Sequence, residues 1–177
     1  MSLNNYIVAI PSYKRPQTLK NKSLRVLQEQ KIDPKRIDIF VADKEQEDIY
    51  KNELPKGAYN KIIVGKPGIK NIRNFMPKYY PEGQKIFYMD DDISQVYQNF
   101  NHGKTLPRLN KDTYDKKHNK LIKLKNLHKF IEKAFALAKE KKMDNWGVYP
   151  VENPYFMKPT TRKSDDYTST YLSYIIG

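Results

Sequence analysis

Cysteine is absent from the 177 residues. Disulfides, zinc–thiolate sites, iron–sulfur clusters and thiol nucleophiles are thereby excluded. Long apolar runs are missing too, since nothing approaches the roughly twenty consecutive apolar residues that a bilayer span needs. Met1 to Asn5, followed by one short apolar run, lack the basic start and long apolar core of a secretory signal, so a cytoplasmic setting is expected. With only 7 glycines and 11 prolines, collagen-like and Gly/Pro-rich disordered classes are excluded. The glycine patterns GxGxxG and GxxxxGK[ST] do not occur, so neither a dinucleotide-binding Rossmann fingerprint nor a P-loop is expected. Acidic residues are also under-represented. Lys and Arg number 33 against 20 Asp and Glu, a formal net charge of +13. A polyanionic partner, nucleic acid or a phosphate-bearing ligand, suits that balance. The abundance of Lys, Asn, Ile and Tyr is equally what AT-rich coding yields, so composition leaves the partner open.

The basic excess is unevenly spread. Asn101 to Lys142 holds thirteen Lys/Arg against four Asp/Glu, a net of +9, and includes all three histidines, His102, His118 and His128. Strand-like and helix-like stretches alternate before it. Tyr6 to Ile10 is a short apolar run ended by Pro11-Ser12, the pattern of a buried parallel strand. A helix is expected from Pro16, with Leu19, Leu24 and Leu27 inward, to about Lys31. Ile37 to Ala42 is a second strand ended by Asp43, followed by a polar helix over Lys44 to Asn52. Lys61 to Val64 is a third strand, and Ile69 to Met76 opens a helix. Ile86 to Met89 is a fourth strand running directly into Asp90-Asp91-Asp92. Further on, the spacing of Leu124, Leu127, Ile131, Phe135 and Ala138 predicts one helix over Lys120 to Lys142. Its Lys123, Lys129, Lys133 and Lys139 lie off that stripe, as a solvated face or as a surface for polyanions. Trp146 to Val151 reads as another strand, and Thr168 to Gly177 as a strand or a helix start.

The alternation predicts an α/β fold with a mainly parallel central sheet flanked by helices. Ligands of such sheets bind beyond the carboxyl ends of the strands, so the polar punctuation there is the expected site. Asp90-Asp91-Asp92 comes first. Adjacent carboxylates repel one another, and a hard divalent cation, Mn²⁺ or Mg²⁺, relieves the repulsion and bridges to substrate phosphates. In extended chain the side chains at i and i+2 share a side, so Asp90 and Asp92 can converge on a metal while Asp91 points away. The competing reading is a polar turn or helix cap. Gly68 to Asn74 is a glycine-led loop entering a helix, whose free N–H groups suit phosphate, with Arg73 a turn inside. Pro11-Ser12-Tyr13-Lys14-Arg15 puts an aromatic ring, a hydroxyl and two cations at a strand end, which suits a base and a phosphate. Asp43 can accept from a ribose hydroxyl or a base N–H.

Taken in order, IPSYKRP, VAD, GIKNIRN and FYMDDDI resemble the nucleotide-sugar half of a GT-A glycosyltransferase, most closely the TET-associated glycosyltransferases of bacteriophages and related viral sequences. The resemblance covers Tyr6 to about Ser94 and continues weakly through Trp146 to Phe156. It implies a single GT-A-like domain with a nucleotide-sugar-binding half at 1–98, a basic helical acceptor-side segment at 99–145, and the start of an acceptor half at 146–177. The resemblance also implies that such a half runs on beyond Gly177. Asp90 and Asp92 would form the DxD metal site, with Asp92 the principal ligand and Asp90 nearer the ribose or a metal-bound water. Pro11, Ser12, Tyr13, Arg15, Asp43, Gly68, Arg73, Asp90 and Asp91 would bind the donor. The implied reaction moves a sugar from a nucleotide-sugar, a UDP-sugar first, to hydroxymethylated pyrimidines in phage DNA or to a glycan or protein. Lys123, Lys129 and Lys133 would then face DNA phosphates. No catalytic base is assigned, because the late acids Glu152, Asp165 and Asp166 lack a supporting context. Two other classes compete: a nucleotidyltransferase of similar fold, and a non-catalytic nucleic-acid-binding module whose acids are structural.

Overall fold

The computed structural model describes residues 6–99 and 121–149, together with the backbone of Arg162–Lys163 and Ser169–Ile176. The chain divides into two compact units, Met1–Ile93 and Ser94–Gly177.

The first unit is built on four parallel strands in the order β3-β2-β1-β4. These are β1 (Tyr6–Pro11), β2 (Ile37–Val41), β3 (Lys61–Val64) and β4 (Lys85–Tyr88). Strand β1 pairs with β2 from Val8↔Ile37 to Pro11↔Phe40, and with β4 from Tyr6↔Lys85 to Ala9↔Tyr88. Val8, Ala9 and Ile10 and every residue of β2 are buried. That double-sided burial is why these strands are runs of apolar residues rather than alternating ones. On one face Ala9, Phe40 and Ile63 pack with Ile72 and Met76 of helix α4 (Ile69–Tyr79). Gly65 lies against this seam. A Cβ there would sit 2.4 Å from Ile72 Cδ1 and 3.1 Å from Phe75, so any larger residue would have to displace the end of the Ile72 side chain.

The helical segment after β1 is not uniform. Helix α1 (Pro16–Leu19) passes through a π-helical stretch, Lys20–Leu24, into α2 (Arg25–Glu29). Leu19, Leu24 and Leu27 are buried as the spacing predicted, and Val26 is buried beside them. Helix α3 (Lys44–Glu53) connects β2 to β3 and buries Gln46 and Tyr50. One buried acid, Asp38 on β2, is satisfied at the far end of the sheet. It accepts from Asn60 Nδ2 and from the Tyr80 hydroxyl, each at 2.8 Å, with Lys61 Nζ at 3.9 Å. Burial, and then the Asp38 carboxylate, push the Tyr80 hydroxyl far up, so it remains a donor.

The second unit carries a mixed sheet in the order β6-β5-β9-β7, with β8 on β9. Its strands are β5 (Val96–Asn99), β6 (Leu121–Lys123), β7 (Asn145–Tyr149), β8 (Arg162–Lys163) and β9 (Ser169–Ile176). Strands β5 and β6 pair antiparallel, and β7 pairs parallel with β9. Helix α5 (Leu127–Glu140) buries Leu127, Phe130, Ile131, Ala134 and Ala138. Phe130 and Phe135 meet Trp146 edge-on at 5.8 and 5.2 Å between ring centres.

One expected element is corrected here. The helix predicted over Lys120 to Lys142 starts only at Leu127, and Lys123 lies on a strand. Asn126 sets the start, because its side chain accepts from the Lys129 N–H at 2.8 Å as an N-cap. Leu121–Lys123 instead finds ladder partners on Tyr97–Asn99. Leu124 is buried as its place in the stripe implied, but its N–H bonds the Val96 carbonyl outside any helix. The carboxyl-terminal stretch is a strand, settling the choice left open for it.

Tyr80→Phe deletes one of the two uncharged donors to the buried Asp38. A loss of about 1–3 kcal/mol is expected, read as a lower urea midpoint at unchanged slope. An unchanged midpoint would show that Asp38 does not depend on that hydroxyl.

Candidate active site

The strand order places a reversal between β1 and β4. The chain leaves β1 in one direction through α1, α2 and β2, and β4 is added on the other side. A crevice opens at such a switch point, beyond the carboxyl ends of the strands. Here the ends are Pro11-Ser12 and Met89-Asp90. Met89 N–H still bonds the Ala9 carbonyl at 3.2 Å, so the two ends stay in register up to the acids.

The three carboxylates part at once. Asp91 turns inward and is 1% exposed, whereas the side chains of Asp90 and Asp92 are 55% and 47% exposed. The strand has ended at Tyr88, and Asp91 and Asp92 lie in a turn that sends the middle residue inward and leaves its neighbours outward. Ser12 Oγ donates to Asp91 Oδ2 at 2.6 Å, and Arg15 Nη2 donates to Asp91 Oδ1 at 2.5 Å. Because Ser12 spends its proton on Asp91, the 2.6 Å contact between Ser12 Oγ and the Tyr50 hydroxyl runs with Tyr50 donating. The Tyr50 oxygen in turn accepts the Arg15 N–H at 3.1 Å. Burial pushes the Tyr50 hydroxyl up, which keeps it a donor. A one-way chain therefore runs from the Arg15 backbone through Tyr50 and Ser12 to Asp91. Burial is the main influence on Asp91 and pushes its carboxyl above the usual range. Ser12 and Arg15 pull it back, while Asp92 and Asp90 push it up.

Two further side chains hold the site's backbone. Gln46 Oε1 accepts the Lys14 N–H at 2.9 Å, steadying a loop whose Lys14 has φ of 55°. Gln46 and Tyr50 sit one turn apart on α3, so one face of that helix clamps the whole Ser12–Arg15 loop. Ser23, in the π-helical stretch, donates to the Asp90 carbonyl at 2.6 Å and accepts the Ile93 N–H at 3.0 Å. It spans the acidic turn from behind. π-helical turns often occur at functional sites, and here the turn contains this serine. No motif pointed to Gln46, Tyr50 or Ser23. The available signal was three polar residues on inward positions of otherwise amphipathic helices.

Beside the acids lies a cavity of about 280 Å³. Its lining is Pro11, Ser12, Tyr13 and Arg15 from the end of β1 and the loop after it, Ala42 after β2, and Lys66 to Ile69 with Ile72 from the loop after β3 and helix α4. Tyr13 and Ile69 are large apolar groups left exposed, at 53% and 64%. Five residues singled out from sequence, Pro11, Ser12, Tyr13, Arg15 and Gly68, thus line one cavity. Gly68 has φ of 89°, a conformation that favours glycine, and it precedes the first turn of α4. Arg73, one turn on, donates from Nη2 to Asp90 Oδ1 at 2.7 Å. Arg15 Nη1 stands 3.7 Å from Asp92.

Asp43 is placed differently. The cavity lining passes through Ala42 and leaves Asp43 out. Its Oδ1 accepts the Gln46 N–H at 2.9 Å as the N-cap of α3. A carboxylate just before a polar helix satisfies an otherwise unpaired N–H, and that use explains the residue without a ligand. Lys129 and Lys133 are exposed on α5 and Lys123 is exposed on β6. Glu152, Asp165 and Asp166 lie outside the described residues.

The donor set suits a hard divalent cation of one kind. Among the described residues, no three His, Asp or Glu side chains converge into a complete metal cluster. The protein therefore offers Asp90 and Asp92 as exposed oxygen donors, with Asp91 committed to Ser12 and Arg15. Mg²⁺ and similar ions are held by one or two carboxylates, with substrate phosphates and water completing the shell. The residues present fit that arrangement and do not fit a closed protein cage.

Ser12→Ala removes a hydrogen bond that favours ionised Asp91. In this variant the Asp91 carboxyl should titrate at higher pH than in the wild type, followed by its ¹³C shift. The sign for stability follows from the raised value. Asp91's contribution is fully present below its unfolded pKa and is lost as pH rises through the folded one, and this loss shifts to higher pH in the variant. An Asp91 that titrates at the same pH in both proteins would contradict the bond's role.

Compared with known proteins, the chain matches no family model and no curated protein.

Proposed function

We propose that this chain is a metal-dependent glycosyltransferase domain of the GT-A type. It would take a nucleotide-sugar, a UDP-sugar first, and pass the sugar to an acceptor hydroxyl. The observation that carries the reading is the position of the acids. Two exposed carboxylates flank a buried one at the switch point of a parallel sheet, beside a cavity walled by an aromatic ring, two prolines and cations. The resemblance of IPSYKRP, GIKNIRN and FYMDDDI to nucleotide-sugar sites supports the same reading.

The roles follow from the geometry. The cavity between Tyr13 and Ile69 receives the nucleoside, with the exposed Tyr13 ring available for stacking. Arg15 and Arg73 reach the diphosphate side, where a guanidinium can grip two phosphate oxygens. Asp90 and Asp92 would hold Mn²⁺ or Mg²⁺, which supplies positive charge to the departing diphosphate. Asp91, expected from the sequence to bind the donor, is instead buried with its oxygens bonded by Ser12 and Arg15 and takes a supporting role. It fixes the Ser12–Arg15 loop to the acidic turn, so both sides of the diphosphate site keep their spacing. In the transfer, the bond between the anomeric carbon and the diphosphate oxygen breaks. A bond from the acceptor oxygen to that carbon forms, and the acceptor proton leaves to solvent or to a base on the acceptor side.

DNA bearing hydroxymethylated pyrimidines is the leading acceptor. The net charge of +13 and the exposed Lys123, Lys129 and Lys133 support a polyanionic acceptor. No helix among the described residues is long and apolar enough to cross a membrane.

The test is direct. Calorimetry should show UDP binding that requires Mn²⁺ and is lost in Asp92→Ala, while the variant keeps the wild-type melting temperature within a degree or two. Asp92 is 47% exposed and its contact with Arg15 is long, 3.7 Å, and partly solvated, so its loss should cost less than about 0.5 kcal/mol of stability. With a UDP-sugar panel, sugar should appear on hydroxymethylated DNA and not on plain DNA. UDP binding that survives Asp92→Ala unchanged would refute the assignment. Stabilisation by nucleoside triphosphates alone would favour nucleotidyl transfer, and DNA binding with no metal effect would favour a binding module.

A further inference from the structure

The two arginines at the acidic turn are paired unequally. Arg15 meets the buried Asp91 at 2.5 Å. Arg73 meets Asp90 at 2.7 Å, and there both side chains are more than half exposed, 56% and 55%. A guanidinium bonded to a carboxylate takes one of its lone-pair sites and, by its own positive charge, opposes a hard cation at the same carboxylate. The Arg15 contact resists separation, because parting it would leave a buried carboxylate without its cation. The Arg73 contact parts easily, because water replaces each partner.

We infer that Arg73 is an internal counter-ion for Asp90: it holds that carboxylate in the place of a divalent cation until a diphosphate draws the guanidinium off, so that cation and diphosphate bind as a coupled pair. The inference rests on the metal and diphosphate reading above and adds its order and its switch. Arg73 stands on the second turn of α4, just past the Gly68 loop that walls the cavity. A short turn of its side chain exchanges the carboxylate for a phosphate, an anion whose geometry suits the planar fork. Asp90 is then released when the second negative ligand arrives, and the cation finds both. Coupling of this kind is reciprocal: whatever factor the diphosphate adds to cation affinity, the cation adds to diphosphate affinity. Arg73 is in this sense a positioning residue for the cation and a binding residue for the diphosphate.

The experiment titrates the full chain with Mn²⁺ alone, followed by electron paramagnetic resonance of the free ion, and repeats the titration with UDP. Wild type is compared with Arg73→Gln and with Lys78→Gln, which removes the same charge from the last turn of the same helix. Arg73→Gln should bind Mn²⁺ alone about two- to fivefold more tightly than wild type, the scale of one exposed ion pair. Lys78→Gln should match wild type, since an exposed charge farther along the helix is screened by salt. The gain in Mn²⁺ affinity produced by UDP should be smaller in Arg73→Gln than in wild type. Circular dichroism melts confirm that the variants are folded. Equal or weaker Mn²⁺ binding by Arg73→Gln, or equal tightening by Lys78→Gln, overturns the inference and leaves the metal site standing. Failure of wild type to retain Mn²⁺ even with UDP overturns the metal reading itself and this inference with it.

Discussion

Asp91 is a carboxylate taken out of water, and the site is organised around what that requires. A buried acid must be met by donors or lose its charge. Ser12 and Arg15 meet it, and both come from the loop after β1, while Asp91 itself comes from the end of β4. The two strands are hydrogen-bonded neighbours at the point where the strand order reverses. Satisfying one carboxylate therefore ties the loop after β1, which lines the cavity, to the acidic turn after β4. Tyr50 and Gln46 extend the tie to α3, and Ser23 extends it to the helical segment after β1.

The same constraint explains why three consecutive acids divide into two kinds. Ser12 and Arg15 fix Asp91 inward, and the turn at Asp91–Asp92 leaves Asp90 and Asp92 outward. The outward pair is exposed and each faces an arginine. The site has two accessible carboxylates, each near a guanidinium, and an adjoining cavity, so it can re-pair when a ligand binds. Such pairing keeps an acidic turn folded while leaving two of its carboxylates accessible. Closing all three acids around one another would have cost far more in repulsion.

Much of the first unit could be read from the chain. The four apolar runs became the four parallel strands: the central β1 and β2 are almost wholly buried and need little but apolar residues, while the edge strands β3 and β4 keep exposed positions such as Val64 and Tyr88. Pro11, Ser12, Tyr13, Arg15 and Gly68 were identified from their place at strand ends, and they share a cavity because the topology gathers those ends. Asp43 followed the same rule and met a local competitor, the cap of α3. The helix over Lys120 to Lys142 was misread at its start because Leu124 sits in register with the stripe by coincidence of spacing. Asn126 marked the true boundary, and a cap residue outranks periodicity there. Tyr50, Gln46 and Ser23 could not have been found from spacing alone. Their roles come from side chains 38 and 32 positions from Ser12 and Lys14, and 67 positions from Asp90. Only the folded chain brings such pairs together.

The central claim is that the exposed acids of this turn hold a cation against a nucleoside diphosphate at the switch point. A crystal grown with UDP and Mn²⁺, with data collected at the manganese edge, tests it most directly. The account predicts one anomalous peak about 2.1 Å from a carboxylate oxygen of Asp92 and from a diphosphate oxygen, with the uridine lying in the cavity beside Tyr13. A nucleotide bound elsewhere, or no peak at those acids with the nucleotide in place, would contradict it.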